Sequence, residues 1–204
     1  MTNWLHYARR LQAIAQTGLT FSEGVYDRER YEEIRSISIA MMHDISGANV
    51  PKIRELFAFE TGYQTPKVDI RGVVFEGEKI LMIKETADQK WALPGGWADI
   101  NYSPSEIVVK EVQEEAGLDV VPVRLMAVFD KLKNDHPPDP YHAYKLFFLC
   151  EKVGGSLQTG TETLDVGYFA ENQLPELSTD RNTERQITMM FDFFRNPHLP
   201  VYFD

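Results

Sequence analysis

Residues 96–118 read Gly96-Trp97-Ala98-Asp99-Ile100-Asn101-Tyr102-Ser103-Pro104-Ser105-Glu106-Ile107-Val108-Val109-Lys110-Glu111-Val112-Gln113-Glu114-Glu115-Ala116-Gly117-Leu118. The spacing predicts a short helix with both ends marked. Ser103 is placed as the N-cap, Pro104 as the first helical residue and Glu106 as the third, which completes a capping box. Gly117 is placed for a left-handed C-cap. At about 100° per residue, Glu111, Glu114 and Glu115 share one arc of the helix, while Val109, Val112 and Ala116 cover another. The apolar arc can pack on a sheet, so the acids project from an anchored element.

On either side of this helix the pattern is that of strands. Val68, Ile70, Val73 and Val74 lead to a turn at Glu76-Gly77-Glu78-Lys79 and then to Ile80-Leu81-Met82-Ile83, which reads as a hairpin. Further strands are expected at about residues 121–130, 143–151 and 164–170. A last helix is expected over about 181–195, with Ile187, Met190, Phe191 and Phe194 inward. Strands with helices outside them make an α/β (α+β) sandwich.

Residues 1–62 read as a small helical domain, and Gly62-Tyr63-Gln64-Thr65-Pro66 as a linker to a second domain at 67–204. Trp4, Tyr7, Ala8, Leu11 and Ile14 form the stripe of a first helix, which Thr17-Gly18 should end. A second helix starts near Asp27, with Tyr31, Ile34, Ile37 or Ser38, Met41 and Ile45 on one side, and stops at Gly47. Asn49 can cap a third, with Pro51 in its first turn and Ile53, Leu56 and Phe57 inward. A helical unit of this size rarely folds alone. It is expected to pack on the rest of the chain or on a second subunit.

The net charge of −10 disfavours non-specific nucleic-acid or anionic-membrane binding, which needs basic patches. It is compatible with phosphate substrates if metal ions bridge the like charges. Cys150 is the only cysteine, so no disulfide framework exists and a reducing, cytoplasmic setting is expected. Its apolar surroundings, Leu146-Phe147-Phe148-Leu149, suit a buried inert thiol better than a nucleophile. No apolar run approaches transmembrane length. The first 22 residues carry Arg9 and Arg10 and no acid, a faint transit-peptide character; an amphipathic helix accounts for them better.

The acidic stripe has two readings. It is a solvated face, or its hard oxygens hold Mg²⁺, Mn²⁺ or Ca²⁺ against their mutual repulsion. Upstream lies Trp91-Ala92-Leu93-Pro94-Gly95-Gly96-Trp97, whose adjacent glycines let the backbone approach other atoms closely. Solvation does not explain a glycine turn feeding a capped acidic helix.

Together these segments resemble the Nudix box, in which a glycine is followed by an isolated glutamate, an arginine-glutamate pair, a glutamate pair and a closing glycine. Gly96, Glu111, Val112, Glu114, Glu115, Gly117 and Leu118 match, with spacing intact. Tyr102 stands at the isolated glutamate position and Lys110 at the arginine position. In the family those two residues mainly brace loop against helix. Here Lys110 can pair with Glu106 four residues earlier, and Tyr102 can pack over the turn with its hydroxyl bonded.

The resemblance implies a Nudix-type α/β/α sandwich with a mixed sheet. It also implies hydrolysis of a diphosphate by a metal-activated water, with Mg²⁺ or Mn²⁺ as cofactor. Glu111 and Glu115 correspond to the principal metal ligands, Glu114 to a further ligand or base, and the Gly95 carbonyl to a completing ligand. The family often takes its general base from a loop outside the box. Glu162, in Gln158-Thr159-Gly160-Thr161-Glu162-Thr163, is the candidate, unless it is a plain surface acid.

The N-terminal region, from Asn3-Trp4-Leu5 through Tyr26-Asp27 and Arg30-Tyr31, resembles the helical extension of a bacterial Nudix subgroup. Its members act on ADP-ribose or CDP-choline. A choline group calls for aromatics, and Trp4, Tyr7, Tyr26, Tyr63, Trp91 and Trp97 are available, though core packing claims such residues more often. The proline-rich loop at 131–142 offers Lys131, Lys133, His136 and His142 to phosphates or base, or is a solvated connection. Trp97 is grouped with these as a substrate contact. The partners expected are a small nucleotide substrate and a second copy of the chain, since the family often builds its sites at dimer interfaces. RNA processing and non-catalytic nucleotide sensing are the competing functions. Low basicity weighs against the first, and the retained acids against the second.

Overall fold

A computed structural model describes residues 4–204, which fall into two units. One takes the chain up to Pro66 together with Pro138–His142; the other takes Lys67–Pro137 and Ala143–Asp204.

The first unit contains α1 (Trp4–Phe21), α2 (Val25–Ser46) and α3 (Val50–Phe57). Helix α2 ends as its glycine predicts: Gly47 takes φ 67° and donates its N–H to the His43 carbonyl. The Asn49 side chain caps α3 by accepting the Lys52 N–H at 2.9 Å. Gly18, in contrast, does not end α1. The helix runs on to Phe21, and Gly18 lies under the Tyr31 ring, where a Cβ would come within 2.3 Å. That glycine serves close helix packing.

The buried face of α1 is Ala8, Gln12, Ala15, Gln16 and Leu19, while the expected Trp4, Tyr7 and Ile14 are exposed. Small side chains let α1 and α2 approach closely, and Ser38 of α2 donates to the Ala8 carbonyl at 2.9 Å. Helix α2 buries Ser38, Ile39 and Met42, leaving Ile37 and Ile45 outside. Ile53 and Phe57 of α3 point inward as expected; the Leu56 side chain lies outside the described part. Within this unit the Arg9 guanidinium donates to the Asp139 carbonyl.

The second unit is built on β1 (Lys67–Glu76), β2 (Lys79–Glu85), β3 (Trp91–Ala92), β4 (Gly95–Trp97), α4 (Pro104–Ala116), β5 (Leu118–Asp130), β6 (Ala143–Gly155), β7 (Thr163–Ala170), α5 (Glu184–Arg195) and β8 (Tyr202–Phe203). The strands order as β3-β2-β1-β6-β5-β8, with β4 also on β1 and β7 on β2. The sheet is mixed: β1 runs parallel to β6, and β5 antiparallel to it.

Alternation along the strands feeds two cores. Ile70, Val74, Leu81 and Ile83 face α4 with Ile107, Val108 and Val112. Val73, Ile80, Met82 and Phe147 face α5 with Ile187, Met190 and Phe191. Phe194, expected inward, sits at the margin and stacks on Phe75 at 4.3 Å. Ile107 is fully buried, and truncating such a side chain to alanine costs about 2–5 kcal/mol. The acids of α4 are therefore carried on a firmly seated helix. Cys150 is buried in the α4-side core, and burial pushes its thiol up to about 12, which suits packing and not nucleophilic chemistry. Among the described residues no helix is long and apolar enough to cross a membrane.

Candidate active site

The capping box at the start of α4 is formed. Ser103 Oγ accepts the Glu106 N–H at 3.3 Å, and Glu106 Oε2 accepts the Ser103 N–H at 2.8 Å. Gly117 closes the helix at φ 71°. Between these caps the three acids separate by environment. Glu115 is turned inward and 8% exposed, and its Oε2 accepts the Gly95 N–H at 2.7 Å. The Glu111 side chain is 14% exposed, with Oε2 3.0 Å from where a Cβ on Gly96 would stand. The Glu114 side chain is 56% exposed.

The glycine turn makes this approach possible. Gly95 pairs with Arg71 across β1, and any Cβ there would lie 2.0 Å from the Ile70 carbonyl oxygen. Its φ of 142° is also strained for any residue with a side chain.

Burial pushes the Glu115 carboxyl up to about 7, against the Gly95 N–H and the Arg71 cation, with Glu85 and Glu111 adding repulsion. Burial likewise raises Glu111, against the pull of Lys110. Among the described residues no three His, Cys, Asp or Glu side chains converge on one metal-sized point; Gly95 engages Glu115, and Lys110 engages Glu114. The donor set nevertheless fits a hard divalent cation. It offers one buried and one half-buried carboxylate on adjacent turns, each raised by burial and close enough to repel the other.

Behind the acids lies a buried ionic group not anticipated from sequence. Asp69 Oδ1 accepts Lys145 Nζ at 2.7 Å, and Arg71 binds both Asp69 oxygens at 2.9 and 2.7 Å. Burial alone would raise Asp69, but Arg71 and Lys145 outweigh it and hold the carboxyl well below its usual range. Burial lowers Lys145 to about 8 despite Asp69. Arg71 also donates to the Leu93 carbonyl at 3.1 Å, which positions the turn that carries Gly95. Glu85, at the end of β2, is a further buried acid in this neighbourhood and pairs with Arg181 at 2.5 Å. The detectable signal was charge inside the otherwise apolar β1 and β6, at Asp69, Arg71 and Lys145. Glu85 and Arg181 had no local signal.

The other candidate residues are placed unevenly. Glu162 is exposed, but its loop is docked on α4: Thr163 Oγ donates to the Glu115 carbonyl at 3.1 Å. The Glu162 carbonyl also accepts the Thr86 N–H, and the Glu162 charge helps raise Glu85. Lys131 is buried, and Lys133 is exposed. His136 Nδ1 lies 2.7 Å from the Thr179 carbonyl, and burial lowers the ring to about 4, with Lys145 and Lys131 adding to the effect. These two residues thus neighbour the Asp69–Lys145 pair. His142 groups with the helical unit.

Of the six aromatics, Trp97 lies on the strand that meets Glu115, opposite Asp69. Trp91 packs edge-on against Phe169 in the α5-side core, and the remaining four belong to the helical unit.

The brace differs from expectation. Glu106 is committed to the capping box, so Lys110 instead reaches Asp99 at 3.3 Å, Glu114 at 3.4 Å and Glu111 at 3.5 Å. Tyr102 is exposed, and its hydroxyl has no hydrogen-bond partner among the described residues.

Comparison with known proteins agrees with this geometry. A family described as the NUDIX domain matches residues 65–191, and one described as a UDP-X-like, N-terminal oligomerisation domain matches residues 2–57. A Bacillus subtilis (strain 168) protein, provisionally named ADP-ribose pyrophosphatase YjhB, is 50% identical over 203 residues, covering 100% of this chain and 98% of its own. A crystal structure of a UDP-X diphosphatase shares 35% identity at a TM-score of 0.65, covering 99% of this chain and 98% of its own. That of an ADP-ribose pyrophosphatase from Streptococcus suis 89-1591 shares 42% at 0.63, covering 69% and 100%.

Proposed function

Because this chain belongs to the Nudix hydrolase family, we propose that it cleaves the diphosphate bridge of a nucleoside diphosphate joined to a second group, with CDP-choline and ADP-ribose as the substrates to test first. The observation that carries this reading is the pair of carboxylates, half-buried Glu111 and buried Glu115, seated against the Gly95-Gly96 turn. Two raised, mutually repelling acids on a seated helix gain from a divalent cation beyond what Lys110, Arg71 and the Gly95 N–H already supply. The names of the relatives support the substrate class, since UDP-X and ADP-ribose are both nucleoside diphosphates carrying a further group.

Glu111 and Glu115, with Glu114 and the Gly95 carbonyl, would hold Mg²⁺ or Mn²⁺. Such an ion lowers the pKa of a bound water and neutralises charge on the diphosphate. The chain's own residues do the rest. Seating α4 on the sheet fixes the helix that carries the two carboxylates, so only side-chain adjustment is needed for them to meet a cation. The carboxylate of Glu162, on a loop tied to the end of α4, takes the proton of the attacking water. Trp97 offers a half-exposed ring to a base or to the second group. Lys131, Lys133 and His136 would supply contacts to the phosphates. Water attack at one phosphorus breaks the bridging P–O bond. CDP-choline would then give CMP and phosphocholine, and ADP-ribose would give AMP and ribose 5-phosphate.

The helical unit supports assembly as a homodimer, since it matches an oligomerisation domain and exposes Trp4, Tyr7, Ile14 and Phe21 along one side of α1. The lone buried cysteine suits a reducing, cytoplasmic setting.

Incubating the chain and Mg²⁺ with CDP-choline, ADP-ribose, NADH, sugar nucleotides, dinucleoside polyphosphates and a labelled RNA tests the assignment. Turnover of at least one diphosphate conjugate well above that of RNA is expected. Turnover of RNA alone would replace the reading.

A further inference from the structure

Beyond β8 the chain crosses onto the segment that follows β5. Tyr202 and Phe203 pair in parallel with Ala127 and Val128, and the Tyr202 ring lies 5.2 Å from that of Phe129. The Arg124 guanidinium donates to the Pro197 and Leu199 carbonyls. These contacts seat residues 197–203 on the sheet. Asp204 adds something that seating does not require. Its Oδ2 accepts the backbone N–H of Asp130 and, at 2.9 Å, the side-chain amide of Asn134, which is fully buried. The same amide donates to the Asp130 carbonyl at 2.9 Å. One carboxylate thus ties residue 130 to residue 134. Between them lies a single 3₁₀ turn, Lys131–Lys133, whose start is fixed by Asp130 Oδ1 accepting the Leu132 N–H at 2.9 Å. Two residues further on, His136 Nδ1 meets the Thr179 carbonyl at 2.7 Å. The segment that carries Lys131 and His136 is therefore held from two distant places in the chain. Hydrogen bonds to an ionised acceptor are the stronger kind, and holding a loop in its bound shape lowers the cost of ordering it when a ligand arrives.

We propose that Asp204 is a positioning residue, a latch that holds residues 130–136 in the shape that presents Lys131 and His136 to the diphosphate of the substrate. The proposal rests on the reading of those two side chains as phosphate contacts.

The test uses the full chain and two readouts that need no turnover. Calorimetry in the presence of Mg²⁺ gives the Kd for ADP and for CDP. Proton NMR follows the His136 ring across pH, its signal assigned by comparison with His136→Gln. Circular dichroism checks that each variant is folded. Asp204→Ala should raise the Kd about tenfold, and should move the His136 titration from about 4 toward 6.5. Asn134→Ala, which opens the latch from the loop side, should move both readouts in the same direction. Asp204→Asn keeps an acceptor oxygen for both donors and should stay near the parent. A His136 titration in Asp204→Ala equal to the parent's overturns the proposal, because the segment then keeps its shape without the latch. A shifted titration with an unchanged Kd overturns it too, together with the reading of this segment as a phosphate contact. An asparagine variant as weak as the alanine one also overturns it. Weakened binding in Asp204→Ala, rescued in Asp204→Asn, supports the latch even if the parent hydrolyses no diphosphate conjugate, a result that would count against the activity alone.

Discussion

Glu115 Oε2 and the Gly95 amide meet at 2.7 Å, joining the last turn of α4 to the glycine turn before the acidic helix. That contact requires the Gly95 backbone to lie where no side chain fits. Gly95→Ala would place a Cβ 2.0 Å from the Ile70 carbonyl oxygen at a φ of 142°. The backbone conformation alone costs about 1–3 kcal/mol, and the clash adds to it. Urea unfolding should show a clearly lowered midpoint, and a midpoint equal to the parent's would show that the turn relaxes freely.

Glu162→Gln separates proton transfer from metal binding. Its loop is fixed to α4 through Thr163, so the substitution leaves the helix and its acids in place. If Glu162 is the base, kcat should fall about 10²–10⁴-fold while Mn²⁺ affinity is retained. Unchanged kcat would move the role elsewhere, and Glu85, buried beside Glu115, would be the next residue to test.

His136 sets a pH dependence of stability. Its folded pKa is lowered to about 4 from an ordinary 6.5, so between those values the unfolded chain binds more protons than the folded one. Its contribution is fully present above about 6.5 and is lost as pH falls toward 4. Discounted for its partial exposure, the effect is on the order of 2 kcal/mol. Chemical denaturation of the parent and of His136→Gln across that window should give a shallower acid loss in the variant. Parallel curves would remove His136 as the cause.

The acidic helix was legible because its signals are local: the caps at Ser103 and Gly117 and the i, i+3, i+4 acids need no knowledge of the fold. What was missed depends on distant partners. Gly18 looks like a helix stop until Tyr31 is seen packed on it. The aromatic side of α1 looks like core, yet Ala8 and Ala15 are the residues buried, as small side chains allow close approach. Lys110 should pair with Glu106 by helical spacing, but the capping box had already taken that carboxylate. Asp69 and Lys145 stand 76 positions apart, and only the parallel pairing of β1 with β6 brings them together.

The exposed side of α1 yields a test of assembly. Trp4, Tyr7, Ile14 and Phe21 fall within about 100° of arc, and each is exposed in the single chain. The parent should sediment as a dimer at micromolar concentration. A Tyr7→Asp, Ile14→Asp double variant should sediment as a monomer with unchanged helix content. A monomeric parent would dismiss this interface.

The central claim is that Glu115 is a metal ligand in a diphosphate hydrolase. The direct measurement is the hydrolysis rate of CDP-choline and of ADP-ribose across a Mg²⁺ titration, for the parent and for Glu115→Gln, with nucleotide binding followed in parallel. The account predicts Mg²⁺-dependent turnover in the parent. It predicts a loss of at least about a hundredfold in the variant, with nucleotide binding largely kept. Metal-independent turnover, or a Glu115→Gln enzyme as active as the parent, would contradict it.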